Sequence, residues 1–463
     1  MSKLYIFAIG GTGSRVLNSL AYLLGSGVKC DSEKIIPIII NPDAANGDVS
    51  LTTNVLRSYQ KIRSFLSFDN STNNSFFKTE IEGQTPNFRI KILNSDKKFK
   101  DYINLGSMDR TNRAMISILF SDKNLEATMD VGFKGNPNMG SVVLNQFQHS
   151  DDFKVFASSF SQNDRIFIIS SIFGGTGASG FPLLLKNLRQ ASSGLDNHQL
   201  LRNADIGAIS VLPYFGVKKD NESEIEKSTF ISKTKAALHY YEHGVNNQVN
   251  RMYYIGDDIS RDYDNNEGST SQKNDAHFIE LASAMAILDF ANGTQTNQND
   301  VREFGINNNS KNITFLDLDS STKNILYKPL TQYYLFNLYL ENKISTTFDQ
   351  RFSVELDLNS EFLETEFYKE IKRFNKGFWT WLEQMSSNER SFSPFTLELK
   401  NKEIFNAVNG IQLRRTNWKG IKNYERFIEY LNKSLKQDNT GKCLEDRFME
   451  VFHNATDLLI QEK

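Results

Sequence analysis

Five short apolar segments, most of them followed by a helical pattern, constrain the fold of this chain most strongly. Each segment is rich in β-branched residues and is apolar at consecutive positions. Such segments are typical of parallel strands that helices cover on both faces. The predicted strands are "KLYIFAI" (3–9), "KIIPIII" (34–40), "RIFIIS" (165–170), "ADIGAISVLP" (204–213) and "RMYYIG" (251–256). The sequence therefore predicts an α/β fold with a Rossmann-like parallel sheet.

The pattern changes after a long apolar helix predicted over 276–292. Beyond it, "NITFLDLD", "RFSVELDLN" and "SPFTLELKN" alternate apolar and polar residues, and helical patterns lie around 330–342 and 420–436. Alternation of this kind predicts a mixed or antiparallel α+β unit. We therefore expect a first domain over 1–272, a central connecting helix over 273–295 and a C-terminal α+β and helical domain over 296–463.

Composition excludes some partners. Lys plus Arg number 53 against 55 Asp plus Glu, a formal net charge of −2, so no whole-chain field favours nucleic acid or an anionic membrane. No run approaches the ~18 apolar residues of a membrane span. The two cysteines, Cys30 and Cys443, lie far apart, which favours a reduced compartment. We expect a cytoplasmic protein that binds neither nucleic acid nor membrane directly.

Two glycine clusters each follow a predicted strand and precede a predicted helix: "AIGGTGSRVL" (8–17) and "SSIFGGTGASG" (170–180). Backbone N–H groups and the helix dipole bind phosphate at such a place. Close helix–strand packing is the more ordinary explanation of either cluster alone, but two clusters on one sheet edge favour a nucleotide lying across both. GxxxxGK(S/T) is absent from the sequence, which excludes a P-loop NTPase. The clusters also offer four hydroxyls to phosphate oxygens, those of Thr12, Ser14, Thr176 and Ser179.

Several motifs resemble the tubulin/FtsZ family. "FGGTGASG" (173–180) resembles the signature GGGTG(S/T)G, with Phe173 in place of the first glycine and Ala178 at a position that is usually Ser or Thr. Four other stretches resemble the family's motifs in the same order: the first glycine cluster, "IIPIIINPDAAN" (35–46), "GFKGNPNMG" (132–140) and "VLPYF" (211–215). Over residues 1–300 the chain thus resembles this superfamily, and its divergent bacterial tubulin-like members most.

This resemblance implies a guanine nucleotide, GTP or GDP, with Mg²⁺ near Asp43 in the first domain. Asn41-Pro42-Asp43 is equally interpretable as a plain turn. Ser14 replaces an Asn that helps to read the base in FtsZ, so the choice between GTP and ATP stays open. Asn274, Asp275 and His277 are the candidates for contact with the base. His277 is more simply interpreted as a residue at the start of a helix. The phosphate contacts implied are Gly11, Thr12, Gly13 and Ser14; Gly135, Asn136 and Pro137; and Gly174, Gly175, Thr176, Gly177, Ala178 and Ser179.

The resemblance also implies head-to-tail self-association into cytoskeletal filaments with nucleotide at the subunit junction. In the family, an acidic NxDxxD loop after the central helix completes the neighbour's GTPase site. Here that region reads "NGTQTNQNDVREFG" (292–305), so Asp300 is the catalytic candidate, with Glu303 nearby and Asp317 and Asp319 as alternatives. The interrupted motif leaves slow hydrolysis open. It also leaves open a non-hydrolysing switch or scaffold of a bacterial accessory or defence system, with an unidentified protein partner.

Two other classes of protein compete with this interpretation. His239, Glu242 and His243 form an HxxEH pattern, which on a helix would give a zinc hydrolase with Glu242 as the base. A Rossmann oxidoreductase would need an acidic ribose partner about 20 residues after the first glycines, for which Asp31 or Glu33 would serve. The oxidoreductase leaves the second glycine cluster without a role.

Overall fold

The fold is known from a computed structural model. It describes the residues 2–43, 45–69, 72–130, 133, 136–217, 227–257, 262–263, 274–293, 300–304, 311–399, 404–411, 413, 423–435 and 442–460. Every helix within these ranges is too short or too polar to cross a membrane.

A seven-stranded, all-parallel sheet forms the centre of the protein. Its strands are β1 (Lys3–Ile9), β2 (Lys34–Ile40), β3 (Glu80–Ile81), β4 (Arg165–Ser171), β5 (Asp205–Val211), β7 (Arg251–Ile255) and β9 (Asp300–Phe304). Their order across the sheet is β3-β2-β1-β4-β5-β7-β9. Two short parallel pairs lie outside it, β6 (Gly216–Val217) with β8 (Asp262–Tyr263), and β10 (Asn312–Ile313) with β11 (Ser391–Phe392). The Rossmann-like α/β prediction and its five strands are confirmed.

Helices surround this sheet. In the first half of the chain they are α1 (Gly10–Gly25), α2 (Gly47–Ser64), α3 (Phe99–Tyr102), α4 (Arg110–Leu119), α5 (Asp122–Glu126), α6 (Pro137–Leu144), α7 (Asp151–Ser159), α8 (Gly175–Arg189) and α9 (His198–Arg202). They continue with α10 (Lys227–Gly244), α11 (Phe278–Asn292), α12 (Ser320–Asn342), α13 (Arg351–Glu355), α14 (Ser360–Glu364), α15 (Glu366–Ser387), α16 (Asn423–Ser434) and α17 (Leu444–Ile460).

The two faces of the sheet belong to two separate hydrophobic cores. Along β1, Leu4 and Ile6 enter the core built with α1, α2, α11 and the C-terminal helices, whereas Tyr5 and Phe7 enter the core built with α6, α7 and α8. Successive side chains of a strand point to opposite faces, so a strand that is apolar throughout is buried on both. The continuous apolar runs in the sequence are therefore the result of two-sided burial.

Helix α15 packs the C-terminal part of the chain against α1 and α2 of the first part. The indole Nε1 of Trp381 donates to Ser19 Oγ at 3.1 Å, and the ring of Phe374 packs edge-on against Tyr22 with centroids 5.1 Å apart. Ser58 in α2 donates to Glu370 Oε2 at 3.1 Å. The C-terminal helices thus cover α1 and α2 and share their core.

The strand predictions beyond residue 311 are wrong in most of their elements. Helix α13 occupies the first five residues of "RFSVELDLN" (351–359). Phe352 and Leu356 are fully buried four residues apart, as one face of a helix requires. Short alternating segments fit both periodicities, and here the helical one prevails. The described strands of this region are the two-residue β10 and β11. In contrast, β9 lies beyond the predicted boundary at residue 295 and completes the main sheet.

Candidate functional site

The two glycine clusters are in contact. Strands β1 and β4 are neighbours. Helix α1 begins at the residue after β1, and α8 begins four residues after the end of β4, so both helices start at the carboxyl edge of the sheet. Gly10 has φ of +73°, and a Cβ placed on it would lie 3.5 Å from Thr176 Cβ and 3.7 Å from the backbone nitrogen of Gly177. The N-termini of two long helices therefore lie side by side at the carboxyl edge of the sheet, where α/β proteins bind ligands.

Some of the glycines serve helix–strand packing. A Cβ on Gly13 would lie 2.8 Å from the carbonyl carbon of Ala8, and one on Gly177 would lie 2.7 Å from the carbonyl oxygen of Ser171. Gly11 and Gly174 are different, because each is partly exposed and an added Cβ would meet nothing closer than 3.0 Å. Each cluster thus combines packing glycines with glycines whose backbone is open to a ligand.

Two of the predicted phosphate-binding hydroxyls form hydrogen bonds inside their own helices, and their role in phosphate binding stays a prediction. Ser14 Oγ donates to the carbonyl oxygen of Gly10 at 3.1 Å, and Ser179 Oγ donates to that of Gly175 at 2.6 Å. Both side chains are buried. A serine inside a helix commonly donates to the carbonyl oxygen four residues earlier, which satisfies its buried hydroxyl. In this arrangement only the backbone N–H groups of these two serines, and not their hydroxyl hydrogens, are available to a ligand at the helix start. Thr176 and Ala178 are partly exposed, whereas Thr12 and Gly175 are buried.

A third helix starts beside the second cluster. Asn136 caps α6, because its Oδ1 accepts from the backbone nitrogens of Asn138 at 3.1 Å and Met139 at 3.3 Å, and Pro137 is the first helical residue. A Cβ on Gly140 would overlap Ser179, so α6 packs closely on α8. Gly135 lies outside the described residues. The predicted loop thus supplies a capped helix start next to α8.

The segment Asn41-Pro42-Asp43 forms a turn at the end of β2. Asn41 Oδ1 accepts from the backbone nitrogen of Asp43 at 3.0 Å, and Asp43 Oδ1 accepts from that of Ala45 at 3.0 Å. Both side chains are buried, and Arg89 donates to the carbonyl oxygen of Asn41 at 2.8 Å. Burial lowers the pKa of Arg89, and the charge of Asp43 opposes this effect. Side-chain hydrogen bonds to the backbone two residues further on are typical of a plain turn, so these contacts support the turn interpretation of this segment.

Sequence reasoning missed a buried ionic network beneath the first cluster. The guanidinium of Arg15 donates from Nε to Glu280 Oε1 at 2.5 Å, from one terminal nitrogen to Asp48 Oδ2 at 2.7 Å, and from the other to the Tyr214 hydroxyl at 3.0 Å. A charged residue within the apolar helix "SRVLNSLAYLL" was the available signal, because a buried charge requires partners. The network joins the first glycine cluster to α2, to the end of β5 and to the start of α11.

Burial and the neighbouring partners have opposite effects on the pKa values of this network. Although burial disfavours the charged guanidinium, Tyr214, Glu280 and Asp48 raise the pKa of Arg15 well above its usual value. Burial also raises the pKa of Glu280, against the lowering effect of Arg15. Two carboxyl groups thus share one cation, so each of them depends on Arg15.

His277 caps α11 and is tied to the same network. Its Nδ1 accepts from the backbone nitrogen of Ile279 at 3.1 Å, while its own backbone nitrogen donates to Glu280 Oε2 at 3.2 Å. Burial, with the nearby cations Arg15 and Arg390, lowers the pKa of His277 to about 4. His277 is therefore a neutral helix-capping residue, as the simpler interpretation of its position predicted.

The structure separates the remaining candidates for base contact. Asn274 joins the network, because its backbone nitrogen donates to Asp48 Oδ1 at 3.1 Å and its amide lies 3.4 Å from Asp48 Oδ2. Asp275 instead accepts from Gln384 in α15 at 3.0 Å. Of the two, only Asn274 is connected to the glycine-cluster side of the sheet.

Asp300 lies at the amino-terminal ends of the parallel strands, whereas the glycine clusters lie at their carboxyl-terminal ends. It is the first residue of β9 and pairs with Arg251, the first residue of β7. Its Oδ2 accepts from Arg251 Nε at 2.9 Å and from Arg302 Nε at 3.2 Å. Asp289, in the last turn of α11, joins this cluster by accepting from the Tyr253 hydroxyl at 2.5 Å. Sequence reasoning missed Asp289, and Asp300 is in a strand rather than in the predicted loop.

The other acidic candidates have local structural contacts. Asp317 accepts from the backbone nitrogen of Thr314 at 2.8 Å, and Asp319 caps α12 through the backbone nitrogens of Ser321 and Thr322. Hydrogen bonds from Ser321 and Thr322 lower the pKa of Asp319 to about 2. Glu303 is exposed on β9. None of these three contacts the glycine clusters within the described residues.

The oxidoreductase alternative is wrong, because its two candidate ribose-binding acids lie at the wrong end of the sheet. Asp31 and Glu33 precede β2, so they lie at the amino edge of the sheet, whereas the ribose-binding acid of a dinucleotide fold follows its strand. Both are exposed, and Asp31 pairs with Lys29 at 2.8 Å.

Comparison with known proteins does not assign the chain to a family. No protein-family model matches the chain, and no curated protein matches it. Among solved structures it is similar to CetZ from Methanosaeta thermophila strain DSM 6194, with 16% sequence identity and a TM-score of 0.23. The match covers 63% of this chain and 51% of the CetZ chain, so it spans about half of that protein. The fold and the site together define an α/β protein with a Rossmann-like parallel sheet and paired glycine clusters at its carboxyl edge.

Proposed function

We propose that the chain is a tubulin/FtsZ-like protein that binds a guanine nucleotide across the two glycine clusters and associates head to tail. The close approach of Gly10 to Thr176 is the observation that carries this proposal, because it brings together two helix N-termini, whose backbone N–H groups can bind anions. The capped start of α6 adds a third set of backbone N–H groups beside α8. A ligand with several linked phosphates matches this arrangement better than a single anion does.

The described residues fit such a ligand. In the proposal, the phosphates lie against the open backbone of Gly11 and Gly174, next to Thr176, with Asn136 and Pro137 on the side of α6. A Mg²⁺ ion would neutralise the phosphate charge, and phosphate oxygens and water would supply most of its ligands, because Mg²⁺ keeps several waters. Asp43 is the acidic residue of the adjacent turn and the proposed neighbour of that ion. Asn274, which is anchored to Asp48, is the proposed contact for the base.

The position of the acidic cluster supports self-association. Asp289 and Asp300 lie at the sheet edge opposite the glycine clusters, and their side chains are 45% and 33% exposed. These carboxylates can therefore approach a nucleotide only on another copy of the chain. A contact between two different ends of one molecule is heterologous, so repeated association produces a ring where the rotation closes and a filament where it does not. The proposal is the filament.

A nucleotide-dependent switch or scaffold without hydrolysis is the second candidate function. The ion pairs of Asp300 with Arg251 and Arg302 favour it, because a neutralised carboxylate orients and polarises water less effectively. The two functions share the nucleotide site and differ in turnover.

A nucleotide titration tests the proposal. The full chain with Mg²⁺ is titrated with GTP, GDP and ATP by calorimetry, and the same samples are examined by sedimentation, electron microscopy and phosphate release. We expect binding of one guanine nucleotide per chain and sedimenting filaments with GTP. Lack of binding by every nucleotide would contradict the proposal, and filaments without phosphate release would favour the scaffold.

A further inference from the structure

We infer that the last turns of α10 form a surface site for a divalent zinc-type metal ion, with His239, Glu242 and His243 as ligands. Each residue offers one ligand atom, and these atoms all lie within 4.8 Å of one another. Positions i, i+3 and i+4 of a helix share one face, so the backbone of α10 brings the three groups together without any loop.

The contacts of the two imidazoles favour this role. His243 Nδ1 lies 3.0 Å from the carbonyl oxygen of His239, so Nδ1 carries the hydrogen and Nε2 keeps the lone pair for a metal. The two imidazole rings are 4.7 Å apart between centroids. Glu242 Oε2 lies 3.7 Å from the Nδ1 of His243 and 4.0 Å from that of His239. A carboxylate oxygen thus stands beside both rings.

The chemistry of the ligands selects the metal. Two imidazole nitrogens and one carboxylate oxygen suit Zn²⁺, and a water molecule completes its tetrahedral coordination. Mg²⁺ and Ca²⁺ prefer oxygen ligands throughout, so this site is distinct from the magnesium position proposed at the nucleotide. In a hydrolase with this motif, Glu242 would act as the base and not as a ligand. The three side chains are 67–79% exposed on the helix surface, which favours metal capture over catalysis.

Metal binding at this place would stabilise a helix that packs on α8. Between the ligands, Tyr241 turns inward, is 1% exposed and packs edge-on against Phe181 of α8 with ring centroids 5.5 Å apart. An ion that bridges His239 and His243 would fix the turn that holds Tyr241. The expected effect is a rise in melting temperature with Zn²⁺, because a ligand that binds only the folded state stabilises it.

The test uses the full chain without nucleotide and titrates it with Zn²⁺ against a chromophoric chelator. We expect one site whose affinity falls about tenfold or more in His239→Ala and in His243→Ala, and less in Glu242→Gln. His149→Ala is the matched control, since His149 is an exposed histidine on another element. Melting temperatures without metal should be unchanged in all four variants, because the altered side chains are exposed.

X-ray absorption at the zinc edge should report two imidazole ligands in the wild type. Unchanged affinity in a His239→Ala/His243→Ala double variant, or no binding by the wild type, would overturn the inference. Neither result bears on the nucleotide site, because the assay contains no nucleotide.

Discussion

The Nε of Arg15 donates to Glu280 Oε1 at 2.5 Å and thereby joins the first glycine helix to the start of α11. The two side chains are 7% and 1% exposed. The same guanidinium binds Asp48, which in turn accepts from Asn274. One buried cation therefore links α1, α2 and the start of α11 beneath the first glycine cluster.

Loss of this cation should destabilise the fold. Arg15→Met leaves Asp48 and Glu280 buried without their partner, and we expect the free energy of unfolding to fall by about 3–5 kcal/mol. Urea denaturation measures this value. Arg113→Met, at an exposed position of α4, is the control and should change little. A further Glu280→Gln change should recover part of the loss. Equal stability of the two single variants would refute the role of the network.

The contact between the glycine clusters should be required for nucleotide binding. Gly10→Ala places a side chain at φ of +73°, which costs about 1–2 kcal/mol locally and displaces the start of α1. We expect nucleotide affinity to fall about tenfold, a change of about 1.4 kcal/mol. Calorimetry with GTP measures it.

Gly410→Ala is the matched control for this experiment. Gly410 has φ of +75°, and its added Cβ would meet only the flexible Leu316 side chain. The backbone penalty is therefore similar, but the residue lies in the C-terminal part of the chain. An equal loss of affinity in both variants would mean that general destabilisation is responsible.

Mild acid should weaken the helix cap at His277. Its pKa is about 4 in the folded protein, below the unfolded value of ~6.5, so the unfolded chain takes up a proton first as the pH falls. Stability is thus complete above pH ~6.5 and is lost progressively down to pH ~4, by about 3 kcal/mol. His277→Asn keeps a capping acceptor but does not titrate. Denaturation midpoints between pH 4 and 7 should vary less in this variant than in His149→Asn.

The acidic cluster should affect turnover without affecting nucleotide binding. Asp289→Asn and Asp300→Asn lie at the edge opposite the glycine clusters, so the affinity for GTP should stay unchanged while phosphate release by filaments falls. Glu303→Gln, on the same strand as Asp300, is the control. Phosphate release at the wild-type rate in both aspartate variants would remove this cluster from the hydrolysis hypothesis.

Five of the seven strands of the sheet were predictable from the sequence because two-sided burial produces continuous apolar runs, whereas β3 and β9 were not predicted. β1 and β2 match their predicted bounds at both ends. Helix α2 was missed because its buried face is partly polar. Thr52, for example, is fully buried and donates to the carbonyl oxygen of Ser14 at 2.9 Å. Apolar periodicity does not detect a helix whose inner face is satisfied by hydrogen bonds.

The glycine clusters of the candidate site could be predicted from the sequence, but the ion pairs beneath them could not. Both clusters carry a local signal, since glycine after a strand is visible in the chain itself. The association of Arg15 with Glu280 spans 265 residues and follows from tertiary packing, so no local pattern contains it. The inward rotation of the Ser14 hydroxyl is likewise a consequence of burial.

The position of β9 determines which fragments of this protein can be prepared. A fragment that stops at residue 295, after the connecting helix, would leave β7 as an open edge and Arg251 without Asp300. Unpaired edge strands promote aggregation. Extension to residue 304 would close the sheet, but the surfaces of α1 and α2 that α15 covers would still be exposed. We therefore expect the two parts of the chain to fold as one unit and the smallest stable expression product to include α15.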